Sequence, residues 1–420
     1  MYKIFGLETI AFLKYFEGHP CFSKVEKILT APPGVKIHLH GLVGSAKSVL
    51  LAMLRKKSDK NFVVLLNDRE EAAYFYDDLN NLGLGNDTLF FPSSYKRSIQ
   101  YDQPEQENIV QRTDILNRLS KNEQSYIIVS YPEALIEKVV SDTGLRNNTL
   151  QVKAGDKLSI DFINEFLYEY GFERVDFVYE PGQFSVRGSI VDIFSFSHED
   201  PYRIDFFGDE IESIRSFDIE NQLSKSNFNK ITIVPNLKDE KIEAFRVSLI
   251  EFLNKRSNAW FGNNLEQFFG RVSEIHRQCL LDKEGDKSII AQIISGNELK
   301  EQFINSTVFD LGFDLAFETS GQINFSTSVQ PVFNKNFELL GNNLLEHQRN
   351  GYGLFILSTQ EKQIERLQAI FKDKKLKIKF EPVDFVLHEG FVDHDLEACF
   401  FTDHQIFERY YRFQLKNRKS

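Results

Sequence analysis

The chain has 420 residues, of which 42% are hydrophobic and 26% are charged, and its net charge is −11. This is the composition of a globular protein of about two to four domains. The negative charge argues against a broad, sequence-independent grip on DNA, which needs a basic face. Three widely spaced cysteines exclude a disulfide framework and a cysteine-rich zinc site.

The sequence lacks a basic leader and an apolar run long enough to span a bilayer. We therefore expect a cytoplasmic protein without a membrane anchor.

Up to about residue 135, short apolar segments alternate with amphipathic ones, which predicts a parallel sheet flanked by helices. We expect a helix that Asp68 caps, and another that begins at Asn108. Predicted strands cover 35–39, 61–66, 89–92 and 126–130, and a predicted helix covers 45–55. A polar loop lies between the predicted strand 89–92 and the helix that begins at Asn108. In this loop Lys96 and Arg97, with two tyrosines, offer charge and stacking to a nucleic acid. A solvated loop is the simpler interpretation.

The segment G-L-V-G-S-A-K-S follows the first predicted strand and opens a helix, as a phosphate-binding loop of the form G-x-x-x-x-G-K-[ST] does. Gly41, Lys47 and Ser48 fit the form, and Gly44 adds a second flexible position. Ala46 departs from it, because its Cβ crowds the place where the backbone approaches phosphate. Furthermore, no Asp-Glu pair follows a buried strand to hold Mg²⁺. We predict a degenerate loop; retained ATP binding is the alternative.

Residues 150–237 are rich in β-branched and aromatic residues and in turn signals, which predicts a β-meander preceded by a helix over 160–171. Strands are expected at 189–194, 202–207, 210–218 and 231–234, with a bulge in the third. Asp205 lies between Ile204 and Phe206, so alternation turns its side chain away from theirs. By pattern alone, such charges belong to the solvated face of a half-buried sheet.

The run V-R-G-S-I-V-D-I-F followed by R-I-D-F-F-G-D-E-I-E-S-I-R-S-F-D closely resembles a segment of the UvrB-like repair proteins, a family that includes the transcription-repair coupling factors. In that family the segment lies in the domain that binds UvrA. The resemblance implies that Arg174, Arg187 and Asp205 contact UvrA, and we place Phe194 with them. The family often has a further arginine where this chain has Ser185, so one contact is lost or moved.

After residue 238 the pattern is first mainly helical, with helices expected at 241–253 and 265–279 and an extended stretch at 323–329. A small α/β unit follows, with helices at 337–348 and 360–371 and strands at 354–357, 376–380 and 398–402. The run H-E-G-F-V-D resembles the end of the third structural domain of the coupling factors. UvrB has no close counterpart of this portion, so the resemblance favours a coupling factor over UvrB. We expect the N-terminal part of a coupling factor, with units 1–149, 150–237, 238–328 and 329–415 and a linker at 416–420; by the resemblance, the third unit completes the first.

By this resemblance, the chain is expected to be a non-catalytic adaptor that recruits UvrA to stalled transcription complexes in nucleotide excision repair. No cofactor is expected in these residues. ATP, RNA polymerase and DNA would engage further domains of the coupling factor. An ATP-dependent, damage-binding helicase fragment of the UvrB type is the alternative, and a direct DNA binder is a weaker one.

Histidines provide two weak metal signals. His38 and His40 alternate along a predicted strand, where histidines satisfied by neighbours are the simpler interpretation. The second signal, more simply a polar surface, combines His388, His394 and His404 with Asp393, Asp395 and Asp403.

Overall fold

The computed structural model describes residues 6–94, 106–237, 245–254, 256–282, 291–413 and 415. Up to residue 153 the chain alternates helices with short strands: α1 (Thr9–Lys14), α2 (Pro20–Leu29), β1 (Lys36–His40), α3 (Ala46–Arg55), β2 (Asn61–Leu65), α4 (Arg69–Leu79), a π-helical turn (Asn80–Leu84), β3 (Thr88–Phe90), α5 (Gln106–Lys121), β4 (Ile127–Ser130), α6 (Pro132–Leu135), β5 (Val139–Val140), α7 (Asp142–Asn147) and β6 (Leu150–Lys153).

A β-rich stretch follows: α8 (Ile160–Glu169), β7 (Glu173–Arg174), β8 (Gln183–Arg187), β9 (Ile190–Ile193), β10 (Tyr202–Phe207), β11 (Glu210–Phe217), β12 (Ser224–Phe228) and β13 (Lys230–Ile233). The remaining elements are β14 (Arg246–Val247), α9 (Leu249–Leu253), β15 (Asn258–Gly262), α10 (Leu265–Asp282), α11 (Gly296–Glu301), β16 (Val308–Asp310), β17 (Gly321–Asn324), β18 (Thr327–Val329), α12 (Phe337–Arg349), β19 (Gly353–Leu357), α13 (Glu361–Asp373), β20 (Glu381–Val383), β21 (Phe391–Asp393), β22 (Ala398–Thr402) and α14 (Asp403–Ile406).

The main sheet has the strand order β17-β1-β16-β15-β2-β4-β3, and each neighbouring pair is parallel. Its inner strands are buried on both faces, as the fully buried β2 and β4 illustrate. The predicted α/β class with a parallel sheet is confirmed. Strands β15 to β17 join this sheet although the β-rich stretch separates them from β1 to β4 in sequence.

The β-rich stretch forms the insert sheet, with the order β12-β11-β10-β9-β8-β7, while β6 and β13 pair beside it. Its own hydrophobic core gathers one face of the sheet and the buried side of α8, including Ile163 and Leu167. The predicted bulge is confirmed in β11: Asp205 pairs with Ser213 but Phe206 pairs with Ile211, so Glu212 is the extra residue.

The C-terminal sheet has the order β18-β21-β22-β19-β20. Alternation along β19 explains how it is covered on both faces. Leu354 and Ile356 belong to a core that includes buried side chains of α12 and α13. Phe355 and Leu357, by contrast, join the large core that also contains the main sheet and α1.

Two segment predictions are wrong. A helix was expected over 241–253, but β14 and the short α9 occupy its described part, and residues 238–244 lie outside the described residues. A strand was expected over 376–380, but β20 begins at Glu381. Strands β15 and β16 were missed because short apolar runs resemble buried helix segments. The unit boundaries at 149, 237 and 328 stay predictions, and residues 416–420 lie outside the description.

Among the described helices, none combines the length and apolar character needed to cross a bilayer.

Candidate functional site

A charged face covers the side of the insert sheet that is turned away from its core. Alternation sends Phe184, Val191 and Ile204 into the core. The register aligns the polar side chains between them on adjacent strands. We define the charged face as Ser185, Arg187, Asp192, Arg203, Asp205, Ser213 and Arg215.

Asp192 is the centre of this face, and its side chain is only 2% exposed. Arg203 forms a bidentate pair with it, Nε to Oδ1 at 2.7 Å and a terminal nitrogen to Oδ2 at 2.9 Å. These hydrogen bonds raise the pKa of Arg203 above its ordinary value. Arg187 donates to the same carboxylate at 2.5 Å, yet 40% of its side chain remains exposed. Arg203 therefore neutralises the buried carboxylate, and Arg187 can present its remaining N–H groups outward.

Asp205 lies on the same face, as alternation predicted. Its carboxylate accepts a hydrogen bond from Ser213 Oγ at 2.9 Å and forms an ion pair with Arg215. Arg187 and Asp205 are thus brought onto one surface by four adjacent strands.

Arg174 is exposed but does not join this network. It lies in the two-residue edge strand β7 and pairs with Phe184, whose side chain points into the core. Within the described part of the chain, Arg174 makes no salt bridge. Phe194 is 6% exposed, so its side chain offers almost no surface to a partner. The chain leaves β9 here, and the next aromatic residue, Phe196, packs beside Ile109 of α5.

Aromatic residues border the charged face and were not anticipated from the sequence. The Phe177 ring lies 4.9 Å from the Arg187 guanidinium, and both Phe177 and Tyr179 are about half exposed. They line an open cleft of about 260 Å³ together with Ile219, Glu220 and Gln222. Asp192 and Arg203 were also missed, although their alternation with Ile193 and Ile204 was a usable signal.

The phosphate-loop lookalike, residues 41–48, has the predicted context, since it follows β1 and opens α3. Gly41 and Gly44 both have positive φ, 83° and 51°. Ala46 is the first residue of α3. Lys47 Nζ donates to Asn263 Oδ1 at 3.1 Å, and burial lowers the pKa of this lysine. Ser48 Oγ donates to the carboxylate of the buried Asp78 at 3.2 Å.

Three of the histidines that the sequence offered as possible metal ligands form hydrogen bonds within the chain. His38 is buried and its Nε2 lies 2.9 Å from the carbonyl oxygen of Gly312. His394 contacts Tyr352 and Ser328, and His404 donates from Nε2 to the carbonyl oxygen of His388 at 2.8 Å.

His19, Asp393 and Asp395 lie close enough to share a metal ion. However, the amide of Cys21 donates to His19 Nδ1 at 3.1 Å, which leaves the imidazole proton on Nε2. Nε2 donates this proton to Asp393 Oδ2 at 3.2 Å. Metal binding through Nε2 would displace that proton and break the bond from Cys21. The geometry therefore favours a hydrogen-bonded link between α2 and β21.

The possible nucleic-acid contacts Lys96 and Arg97, with Tyr95 and Tyr101, lie outside the described residues.

Comparison with known proteins shows what the segment that carries the charged face is similar to. Residues 150–238 match the UvrB interaction domain. The chain is 32% identical to the transcription-repair-coupling factor of Bacillus subtilis (strain 168) over 198 residues, 47% of this chain and 17% of that protein. The chain is related to the transcription-repair-coupling factors. The resemblance found in the sequence is thereby confirmed.

Two further coupling factors give similar matches. That of Escherichia coli (strain K12) is 29% identical over 46% of this chain and 17% of its own length. That of Haemophilus influenzae is 30% identical over 53% of this chain and 20% of its own length. The match thus spans about a fifth or less of the length of these coupling factors.

Proposed function

We propose that the interaction domain docks UvrA through the charged face, and that this chain is a non-catalytic adaptor module of transcription-coupled excision repair. The observation that carries the proposal is the arrangement around Asp192. One arginine neutralises the buried carboxylate, and the other stands outward beside an exposed aromatic ring. As part of the same proposal, RNA polymerase, DNA and ATP would engage further domains of a longer coupling factor.

Arg187 has the properties of an interface hot spot. Arginine and aromatic residues are enriched at such positions, and a guanidinium binds a carboxylate through two directed hydrogen bonds. Because Arg203 already holds Asp192, Arg187 can turn to a partner without leaving a buried charge unpaired. We therefore expect an acidic side chain of UvrA to meet Arg187, with Phe177 packing against the pair.

The first prediction follows from this division of roles. Arg187→Ala should weaken UvrA binding by roughly 1–3 kcal/mol, which is about 5- to 150-fold in Kd, while the insert stays folded. Isothermal titration of purified UvrA into each variant measures the change. Arg271→Ala is the matched control, since Arg271 also forms ion pairs with carboxylates and is also 40% exposed, but lies on α10.

Equal affinities for wild type and Arg187→Ala would contradict the proposal. Equal losses in Arg187→Ala and Arg271→Ala would indicate a general charge effect instead of a specific surface.

A further inference from the structure

Backbone amides of the phosphate-loop lookalike, called the phosphate loop from here on, donate their hydrogen bonds to oxygens of the same chain. The amide of Val43 donates to Thr327 Oγ1 at 3.1 Å, and the amide of Ser45 donates to the carbonyl oxygen of Glu389 at 3.3 Å. The amide of Ala46 closes a turn onto the carbonyl oxygen of Val43. In a nucleotide-binding loop, amides at these positions face phosphate oxygens. Here protein oxygens accept their hydrogen bonds.

The acceptor segment, His388–Glu389–Gly390, also donates back. The amide of Glu389 donates to Ser45 Oγ at 2.9 Å, and that of His388 donates to Asp78 Oδ1 at 2.7 Å. A Cβ built on Gly44 would lie 3.3 Å from the Cβ of Glu389 and 3.5 Å from its carboxylate oxygen. The carboxylates of Glu389 and Glu71 also oppose the pKa lowering that burial imposes on Lys47. A negative side chain therefore lies against the loop on the side of its lysine.

Residues of α4 and of the C-terminal unit hold this segment from two sides. The Tyr74 ring stacks on His388 with 3.6 Å between ring centroids. The amide of Gly390 donates to Gln405 Oε1 at 2.7 Å. A Cβ on Gly390 would approach Gln330 Oε1 to 1.9 Å, so only glycine fits without displacing its neighbours.

We propose that the phosphate loop is an internal docking site whose ligand is the segment 388–390 of the same chain. Glu389 fills the position that a nucleotide phosphate takes in a loop of this form, and the contact fastens the C-terminal sheet to the main sheet. Because the amides of Val43, Ser45 and Ala46 already bond to protein oxygens and Glu389 lies against Gly44, the proposal predicts that nucleotide does not bind. The inference does not involve UvrA, so its test is independent of the proposed function.

A disulfide tests the contact in solution. The variant Gly44→Cys/Glu389→Cys brings two Cβ atoms to a separation close to the roughly 3.5–4.5 Å of a disulfide, and the three native cysteines are buried. We expect rapid, near-complete cross-linking on mild oxidation, read by mass spectrometry after peptide mapping, at a rate that saturating Mg-ATP leaves unchanged. Gly44→Cys/Glu397→Cys, with its second cysteine at the far end of the C-terminal sheet, should not cross-link. Absence of the cross-link, or at least a tenfold slowing by Mg-ATP, would overturn the proposal.

A second measurement uses the unmodified chain, because a cysteine at the positive φ of Gly44 carries strain. The amides of Ser45, His388 and Glu389 should exchange with deuterium at least a hundredfold more slowly than unstructured amides, with or without Mg-ATP. Mg-ATP should also leave the melting temperature unchanged in wild type and in Lys47→Ala. Fast exchange at 388–390, or a saturable rise in melting temperature that Lys47→Ala abolishes, would show that the loop is open to nucleotide.

Discussion

Asp78 is a buried carboxyl group at the junction of the phosphate loop and the C-terminal unit. Burial is the main cause that raises its pKa from 3.8 to about 7, although hydrogen bonds from Ser45, Ser48 and His388 work in the opposite direction. The neighbouring Asp77 adds a smaller repulsion. An unfolded aspartate is ionised above about pH 4. Between these pKa values the unfolded chain binds fewer protons, so this site loses stability as pH rises.

The second prediction is therefore that Asp78→Asn stabilises the protein at high pH and does so less at low pH. The amide oxygen can accept from His388, and the amide nitrogen can donate to Ser48, so the contacts survive without a buried charge. We expect a melting temperature about 2–4 °C above wild type at pH 8, with a smaller difference at pH 5. Scanning fluorimetry across this range measures it. The exposed Asp209→Asn should show a flat difference, and a flat difference for Asp78→Asn would refute the assigned pKa.

For single residues, the sequence predicts which face of a sheet a side chain occupies when the strand is long and regular. The placement of Asp205 followed from its position between Ile204 and Phe206, and burial of both neighbours confirms it. The face that the Arg174 side chain occupies could not be predicted, because the two residues of β7 are too few to establish an alternating pattern. Its contact with UvrA stays a prediction. Only the fold revealed Asp192 as the centre of the charged face, because Arg187, Asp192 and Arg203 lie on three different strands.

The bulge in β11 lets two isoleucines three residues apart face the same core. Strict alternation would turn either Ile211 or Ile214 outward, yet both are buried. The exposed Glu212 absorbs the extra position, which keeps Ser213 opposite Asp205 on the charged face.

The third prediction follows: deletion of Glu212 should be tolerated. The shortened strand would pair one-to-one with β10, with Ile211 still facing the core. We expect the free energy of unfolding to change by less than about 1 kcal/mol in urea titrations. Deletion of the small Ser185 from the regular strand β8 is the control, and it should unfold the insert because every later side chain of that strand changes face. Similar damage from both deletions would contradict this account.

Long amphipathic helices were predicted more accurately than short strands. The patterns of α12 and α13 extend over several turns, and their structures agree with the prediction to within about two residues. The five residues of β15 contain no complete helical period with which to contrast a strand. Their assignment depends on β2 and β16 lying on either side, which is information from distant parts of the chain.

At the scale of the molecule, the main and C-terminal sheets share one hydrophobic core, whereas the insert has its own. The ring of Phe12 in α1 packs edge-on against Phe385 and Phe400, with centroids 5.0 and 5.4 Å away. The C-terminal sheet is therefore part of the body that carries the insert. The small α/β unit was predictable from its pattern, but its fusion with the first core was not, because the contacts link residues more than 300 positions apart.

The fourth prediction is that replacing residues 150–233 with a short Gly-Ser linker leaves the body folded. Leu150 and Ile233 are register partners, so a few residues bridge the gap. The buried Trp260, the only tryptophan in the chain, should keep its emission maximum, and UvrA binding should be lost. A red-shifted emission would show that the body depends on the insert. Unchanged affinity for UvrA would place docking elsewhere.

The pairing of β6 with β13 has a mechanical consequence. Both backbone connections leave the body side by side and are hydrogen-bonded over four residues, from Leu150 to Lys153 and from Lys230 to Ile233. Tension on a partner held by the insert would divide between two strands under equal load, so neither would peel away alone. A pulling force on a bound partner would thus be transmitted to the body without first separating β6 from β13.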